Sequence, residues 1–346
     1  MNIAAPKLTQ FAADVLAACG MPAADAKVTA ACMIEGDLTG ADAHGIFRLA
    51  QYVDAFDKKD INPRAAIKVL NQGPATALID GDNGMGHLAV ERATRLAGEL
   101  AKTAGLAWVG VRNSNHAGAG GVYVSMLTDA GLIGLYGAVS GFNQMAAWGG
   151  AEALLGTNPL AIGIPAGQQP AVIIDTATSV ASAGMIKAAA LRGEAIPAGW
   201  MIDPQTGDAV TDPAKMMQSL LTPIGEHKGS GLALAIGLLA GSLNGAAFGR
   251  DIPRSGSGFG VNSGQFVIAL DIARFTPAET FGAELDRHIG DFAQSKPLPG
   301  VTRVRVPGQE RARRKRERAA NGVAISAPLA KQLNALAQRF KIDFAA

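Results

Sequence analysis

Residues 87–112, "HLAVERATRLAGELAKTAGLAWVGVR", hold a helix, its stop and a strand in one uninterrupted run. Ala89, Ala93, Leu96, Leu100 and Ala104 recur at spacings of three and four, which places them on one helical face. Gly105 ends the helix, because glycine takes the backbone of a helix stop without steric cost. The apolar run from Leu106 then reads as a strand. The same grammar repeats downstream, with a helix from about residue 120 to 130, Gly131 as its stop, and the strand "LIGLYGAVS" at 132–140. Helix alternating with strand predicts an α/β protein around a largely buried sheet.

The flanks extend this pattern. Residues 7–19 and 23–39 have helical spacing, with Gly20 to stop one helix and Pro22 to begin the next, and residues 62–86 read as two short strands and a turn. Residues 159–179 read as a hairpin turning at "PAGQQP", followed by a helix near 183–193 and a loop rich in proline and aspartate to about residue 225. An apolar helix from 229, a glycine-rich loop at 254–264 and the strand "QFVIALDI" at 265–272 come next. Helices dominate thereafter, apart from a strand expected at "VTRVRVP", 301–307. No repeat or low-complexity linker divides the chain, so its domains are expected to be intertwined.

At 346 residues the chain is long for a single core. Its 48% hydrophobic and 17% charged residues exclude a disordered chain. The net charge of +2 hangs on "RARRKRER", residues 311–318, which holds six of the 31 basic residues and one of the 29 acids; without it the balance is −3. The run continues into "AANG", a helix with a glycine stop, and lacks aromatic residues to stack on bases, so no nucleic-acid partner is expected. Cys19 and Cys32 lack CxxC spacing and read as buried thiols in a reducing compartment. Asp14 interrupts the apolar N-terminal stretch, no basic region precedes it, and "GLALAIGLLAG" at 231–241 is too short to span a bilayer. A cytoplasmic protein without membrane contact is expected.

A nucleotide-binding strand–turn–helix normally carries GxGxxG, and no glycine cluster fits: the third glycine is replaced by Tyr123 in "GAGGVY", by Ala89 in "GMGHLA" and by Leu234 in "GSGLAL". Three of five histidines sit in polar or glycine-rich settings: His44 in "ADAHG", His116 in "RNSNHAGAGG" and His227 in "GEHKGSG". The latter two adjoin expected helix N-termini, where free N–H groups hold phosphate, and Lys228 adds a positive charge to the second. If residues 42–52 are helical, His44 and Arg48 share a face, and two cationic groups so placed point to a small acidic ligand. No ligand spacing supports a metal, and no GxSxG supports a serine hydrolase.

Six ordered blocks, "DAHGIFRLAQYV" (42–53), "RNSNHAGAGGVY" (112–123), "WGGAEALLGTNPLAIGIPAG" (148–167), "IDTATS" (174–179), "IPAGWMIDPQTGDAVTDP" (196–213) and "PIGEHKGSGLALAIGLLAGSLNGAAFG" (223–249), resemble the malate/L-lactate dehydrogenase family of the non-Rossmann type. That family includes ureidoglycolate dehydrogenase, sulfolactate dehydrogenase, 2,3-diketogulonate reductase and the Δ1-piperideine-2-carboxylate reductases. The resemblance implies a mixed-sheet dinucleotide-binding domain, residues 76–294, inserted in a helix-rich catalytic and dimerisation part made of residues 1–75 and 295–346. It implies a homodimer, NAD or NADP as cofactor, and a small anionic carboxylate substrate. His44 would be the proton donor, Arg48 the carboxylate clamp, and Thr157 a substrate contact. His116, Ala117, Gly118, Ala119, Gly120, Asp175, Thr176, Ala177, His227 and Lys228 would line the cofactor, joined by Arg305, Pro307, Gly308 and Arg311 of "RVPGQER".

The physical reading agrees, since reducing a 2-oxo acid puts negative charge on oxygen, and a histidine titrating near neutrality can protonate it. The family commonly has serine before the catalytic histidine, relayed in its cyclic-imine reductases to an aspartate, whereas here these positions are Ala43 and Met185. His44 must then be oriented by Asp42, a backbone group or water, and a hydroxy-acid substrate is expected over an imine beside a carboxylate. The remaining alternative is an inactive binding protein on the same scaffold.

Overall fold

A computed structural model describes residues 1–344 other than 255, with the backbone alone at 188 and 191. The chain opens with β1 (Asn2–Ile3), α1 (Ala5–Ala18), α2 (Ala23–Leu38) and α3 (Leu49–Asp57). It then runs through β2 (Lys68–Gln72), β3 (Thr76–Asp80), α4 (Gly86–Ala104), β4 (Leu106–Ser114), α5 (Gly120–Asp129), β5 (Leu132–Ala138), β6 (Met145–Ala146), β7 (Ala153–Leu155), β8 (Leu160–Ile164) and β9 (Val172–Thr176). There follow α6 (Ala183–Arg192), β10 (Met201–Ile202), β11 (Ala209–Val210), β12 (Leu220–Leu221), α7 (His227–Ala240), β13 (Ser263–Asp271), α8 (Ala278–Gln294), α9 (Gln309–Asn321), β14 (Val323–Ala324) and α10 (Ala327–Phe340).

The alternating helices and strands build a seven-stranded mixed sheet in the order β2-β3-β4-β13-β5-β8-β9. Within this sheet, among the described residues, only β3 and β4 run parallel, and β13 returns late in the chain to fill the centre, with Phe266 opposite both Gly110 and Gly137. The two-residue period of β13 divides the layers. Val267 and Ala269 pack with apolar residues of α4 and α5, whereas Phe266 packs on the other side with Ile236 and Ala240 of α7.

A separate core draws on both chain ends: Leu8, Phe11, Met33 and Tyr52 from the first three helices meet Leu333 and Leu336 of α10. The β1–β14 pair, Ile3 opposite Val323, ties those ends together. Burying such residues is worth roughly 1.5–3 kcal/mol per large side chain, which is what holds the terminal helices as one layer.

Two expectations are corrected. The loop foreseen up to residue 225 contains β10, β11 and β12, which join β6 and β7 in a five-stranded sheet; strands of two residues are too short to show alternation. The strand expected at 301–307 does not form: Val306 is buried, but no other strand pairs with the segment, which ends at Gly308. A Cβ on residue 308 would lie 2.2 Å from the Ala171 carbonyl oxygen, so glycine is what lets this segment close on the approach to β9. Among the described residues no helix is long and apolar enough to cross a membrane.

Candidate active site

His44 and Arg48 do not share one helix. Asp42–His44 and Ile46–Arg48 form separate single turns, with Gly45 extended between them at φ −94° and ψ −141°. The cause is Asp37, on the last turn of α2. Its buried carboxylate accepts the Ile46 N–H at 2.7 Å, and a Cβ on residue 45 would lie 2.1 Å from its Oδ1. Burial pushes the Asp37 carboxyl up to about 7. Arg48 Nε donates to the Ala43 carbonyl at 2.8 Å and Nη1 donates to Gln51 Oε1 at 2.7 Å. No carboxylate of the described residues pairs with that guanidinium, so its remaining donors are free for a ligand.

His44 Nδ1 lies 3.2 Å from His116 Nε2, and His116 Nδ1 lies 2.7 Å from the hydroxyl of the fully buried Tyr52. The Gly118 N–H, which can only donate, points at His116 Nδ1 at 3.3 Å. That assigns the neutral tautomer: His116 carries its hydrogen on Nε2 and donates it to His44 Nδ1, so neutral His44 carries its own on Nε2. Burial, then the charge of Arg48, pushes the His44 pKa down to about 4, and the same causes hold His116 well below the ordinary range. The expectation of a histidine titrating near neutrality is corrected accordingly. The Asp42 side chain makes no direct hydrogen bond to His44 among the described residues; Arg318 holds it in an ion pair.

Sequence spacing singles out neither Tyr52 nor Asp37, nor His87. It is 1% exposed and neither ring nitrogen has a partner, while its ring stands edge-on to Tyr52 with centroids 5.5 Å apart. Burial pushes its pKa down to about 3. A tyrosine four residues after Arg48 and a histidine opening a helix both read as packing in one dimension. Only the fold shows that they back His116.

A second cluster forms where α5 begins. The Gly121 N–H donates to Asp175 Oδ2 on β9 at 2.8 Å, and Arg311, from the first turn of α9, lies over the same glycine, 2.6 Å from where a Cβ would stand. Arg311 Nη2 is buried without a partner. The loop from His116 through Ala117, Gly118 and Ala119 to Gly120 therefore joins the histidine cluster to this one. Thr157 Oγ1 lies 3.0 Å from Ser140 Oγ, and its carbonyl accepts the Thr178 N–H, next to Thr176 and Ala177. His227 and Lys228 open α7 and are exposed, as are Arg305 and Pro307. Among the described residues no hydrogen bond or ion pair links the side chains of His227, Lys228 or Arg305 to either cluster.

The malate/L-lactate dehydrogenase family profile matches residues 3–334. The chain belongs to that family. It is 33% identical over 345 residues to malate dehydrogenase of Pyrococcus horikoshii, covering 97% of this chain and 95% of that one. It is 32% identical over 332 residues to a Delta(1)-pyrroline-2-carboxylate reductase of Ancylobacter novellus, with 94% of each chain covered. The solved structure of sulfolactate dehydrogenase from Methanocaldococcus jannaschii superposes with a TM-score of 0.91 at 33% identity, covering 99% of this chain and 98% of that one. The malate/L-lactate dehydrogenase-like chain is thus an enzyme, an oxidoreductase, and its family acts on small carboxylates.

Proposed function

We propose that this enzyme interconverts a small 2-hydroxy acid and its 2-oxo acid, with His44 as proton donor and Arg48 as carboxylate clamp. The observation that carries the reading is Arg48, a partly buried guanidinium without an acidic partner, beside a histidine kept neutral by burial. A substrate carboxylate supplies the missing counter-charge and can be held by two parallel N–H donors, fixing which face of the carbonyl is presented. Neutral at rest, His44 takes up a proton from solvent once substrate is bound, gives it from Nε2 to the alkoxide as the hydride arrives, and is left as the neutral ring, so no imidazolate forms. Carboxylate binding also cancels the Arg48 charge that depresses His44, which eases the return of the proton.

The residues present fit a nicotinamide dinucleotide. The orphaned Arg311 Nη2 at the α5 N-terminus suits a phosphate, and the Asp175 carboxylate suits sugar hydroxyls. NAD or NADP, when bound, supplies the hydride. His116 to Gly120, Asp175 to Ala177, His227, Lys228 and the segment from Arg305 to Arg311 would hold it on the mixed-sheet domain, taken as residues 76–294, with the helix-rich remainder carrying His44 and Arg48. A homodimer is part of this reading, supported by the exposed leucine face of α7, Leu232, Leu234, Leu238 and Leu239, continued by Leu243. A cytoplasmic location and Thr157 as a substrate contact complete it.

Reduction of an imine beside a carboxylate is the second reading, favoured by the Ancylobacter relative. Against it, Ala43 packs near the first turn of α6, where a Cβ on residue 184 would lie 3.4 Å from its own and 3.7 Å from Ser182 Oγ, so neither Ala43 nor Met185 supplies a polar group to a relay. Arg48→Ala decides the common core of both readings. It should raise KM for any carboxylate substrate about a hundredfold or more, as loss of a charged contact does; an unchanged KM contradicts the clamp.

A further inference from the structure

We propose that Arg318 is a positioning residue for the turn that carries His44 and Arg48, and that α9 uses one basic face to hold that turn and the cofactor cradle in register. The proposal rests on the functional reading for the roles of His44 and Arg48. It accounts for the basic run that the fold alone leaves unexplained.

Arg311, Arg314, Lys315 and Arg318 lie three and four residues apart, on one face of α9. That face docks along the end of α2 and the residues just before His44. Lys315 Nζ meets Glu35 Oε1 at 2.7 Å, the Arg314 side chain lies across Gly40, and Arg318 donates to both the Asp37 carbonyl and the Asp42 carboxylate, with Nη2 to Oδ2 at 3.2 Å. Arg313 instead pairs with Glu310 and Glu317, within α9 itself.

Arg318 grips the stretch 37–42 at both ends. Asp37, whose carbonyl it holds, is the residue whose carboxylate accepts the Ile46 N–H and crowds Gly45. Asp42, whose carboxylate it holds, begins the turn that ends in His44. Contacts therefore run from one guanidinium into both turns of the site. A planar fork holds a carboxylate and a carbonyl at once in a fixed geometry, whereas a lysine ammonium is a point charge on a flexible stem. The Arg318 side chain is 22% exposed and that of Asp42 60%, so water screens the ion pair and the part-buried contact to the Asp37 carbonyl is the firmer half of the grip. Seven residues earlier on the same helix, about 10 Å at 1.5 Å per residue, Arg311 lies over Gly121 in the cofactor cradle. One rigid helix thus spaces the two clusters.

The test compares Arg318→Met, which keeps the apolar stem, with Arg318→Lys in the full-length enzyme. Three quantities are read: Kd for NADH by fluorescence, KM and kcat for a 2-oxo acid, and the midpoint of the His44 ring-proton NMR titration, assigned by its loss in His44→Gln. The groups facing His44 are Arg48, His116 and His87. Arg318→Met should raise KM about tenfold, the size of one lost charge-assisted contact. It should also move the His44 midpoint up towards that of a hydrated histidine, while the Kd for NADH stays within about twofold. Arg318→Lys should recover part of both changes. Should Arg318→Met not fold, Asp42→Asn tests the same grip and should shift KM and midpoint in the same direction. Unchanged KM and an unchanged His44 midpoint, even with a lower melting temperature, overturn the proposal. If the wild-type enzyme reduces no 2-oxo acid or imine, the functional reading fails, and the His44 midpoint alone still decides the role of Arg318.

Discussion

At the scale of single residues, burial holds the histidines of the candidate site towards their neutral form. His44→Gln preserves a side-chain donor but not the link through His116, and should lower kcat by roughly a hundredfold to ten-thousandfold with little change in KM. A variant at full rate would remove His44 from the mechanism. His87 has a separate consequence. Its pKa falls from 6.5 unfolded to about 3 folded, so the unfolded chain binds the extra proton and stability is lost as pH drops below 6.5. His44 acts with the same sign between 6.5 and about 4, whereas Asp37, raised from 3.8 to about 7, acts with the opposite sign over much of that window. His87→Leu removes a buried imidazole whose nitrogens have no partner, so it should leave the protein at least as stable at neutral pH and flatten the acid limb. Melting temperatures of both proteins across that window check this; equal slopes would mean that His87 is hydrated in the folded state.

At the scale of elements, the turn at 42–48 shows what a sequence can and cannot disclose. The helix and strand at 87–112 were legible because their periods recur locally, and α4 and β4 form almost where the spacing places them. The candidate residues His44, Arg48, His116, Asp175 and Arg311, singled out in the sequence, do come into two adjoining clusters. The break at Gly45 was not, because its cause is the carboxylate of Asp37, eight residues earlier on another helix. Tyr52 was hidden for a like reason: its apolar neighbours mark it as core, and its hydroxyl partner lies 64 residues away. Gly45→Ala should consequently be costly despite being small. The added methyl meets Asp37 head-on, so we expect a loss of roughly 1–3 kcal/mol, as overpacking gives, together with a raised KM for the carboxylate. Chemical denaturation and steady-state kinetics measure the two; a variant of wild-type stability and KM would show that the turn yields freely.

At the scale of the whole molecule, two cores meet at the site, one closing the chain ends and one built on the mixed sheet. α9 and the loop 116–120 bridge them. The exposed leucines of α7 belong to this scale as well, since a helix that is apolar almost all round is stable only when covered. If the proposed dimer forms through this helix, Leu238→Asp should give a monomer in light scattering, and a monomeric wild type would refute the proposal. The central claim is tested most directly by mixing the purified enzyme with NADH or NADPH and a panel of 2-oxo acids, with and without methylamine or cyclic imine carboxylates, and following loss of the reduced-nicotinamide absorbance. Turnover of an oxo acid without amine, abolished in Arg48→Ala at the same substrate concentration, is the result predicted. Turnover confined to imines would contradict the hydroxy-acid assignment.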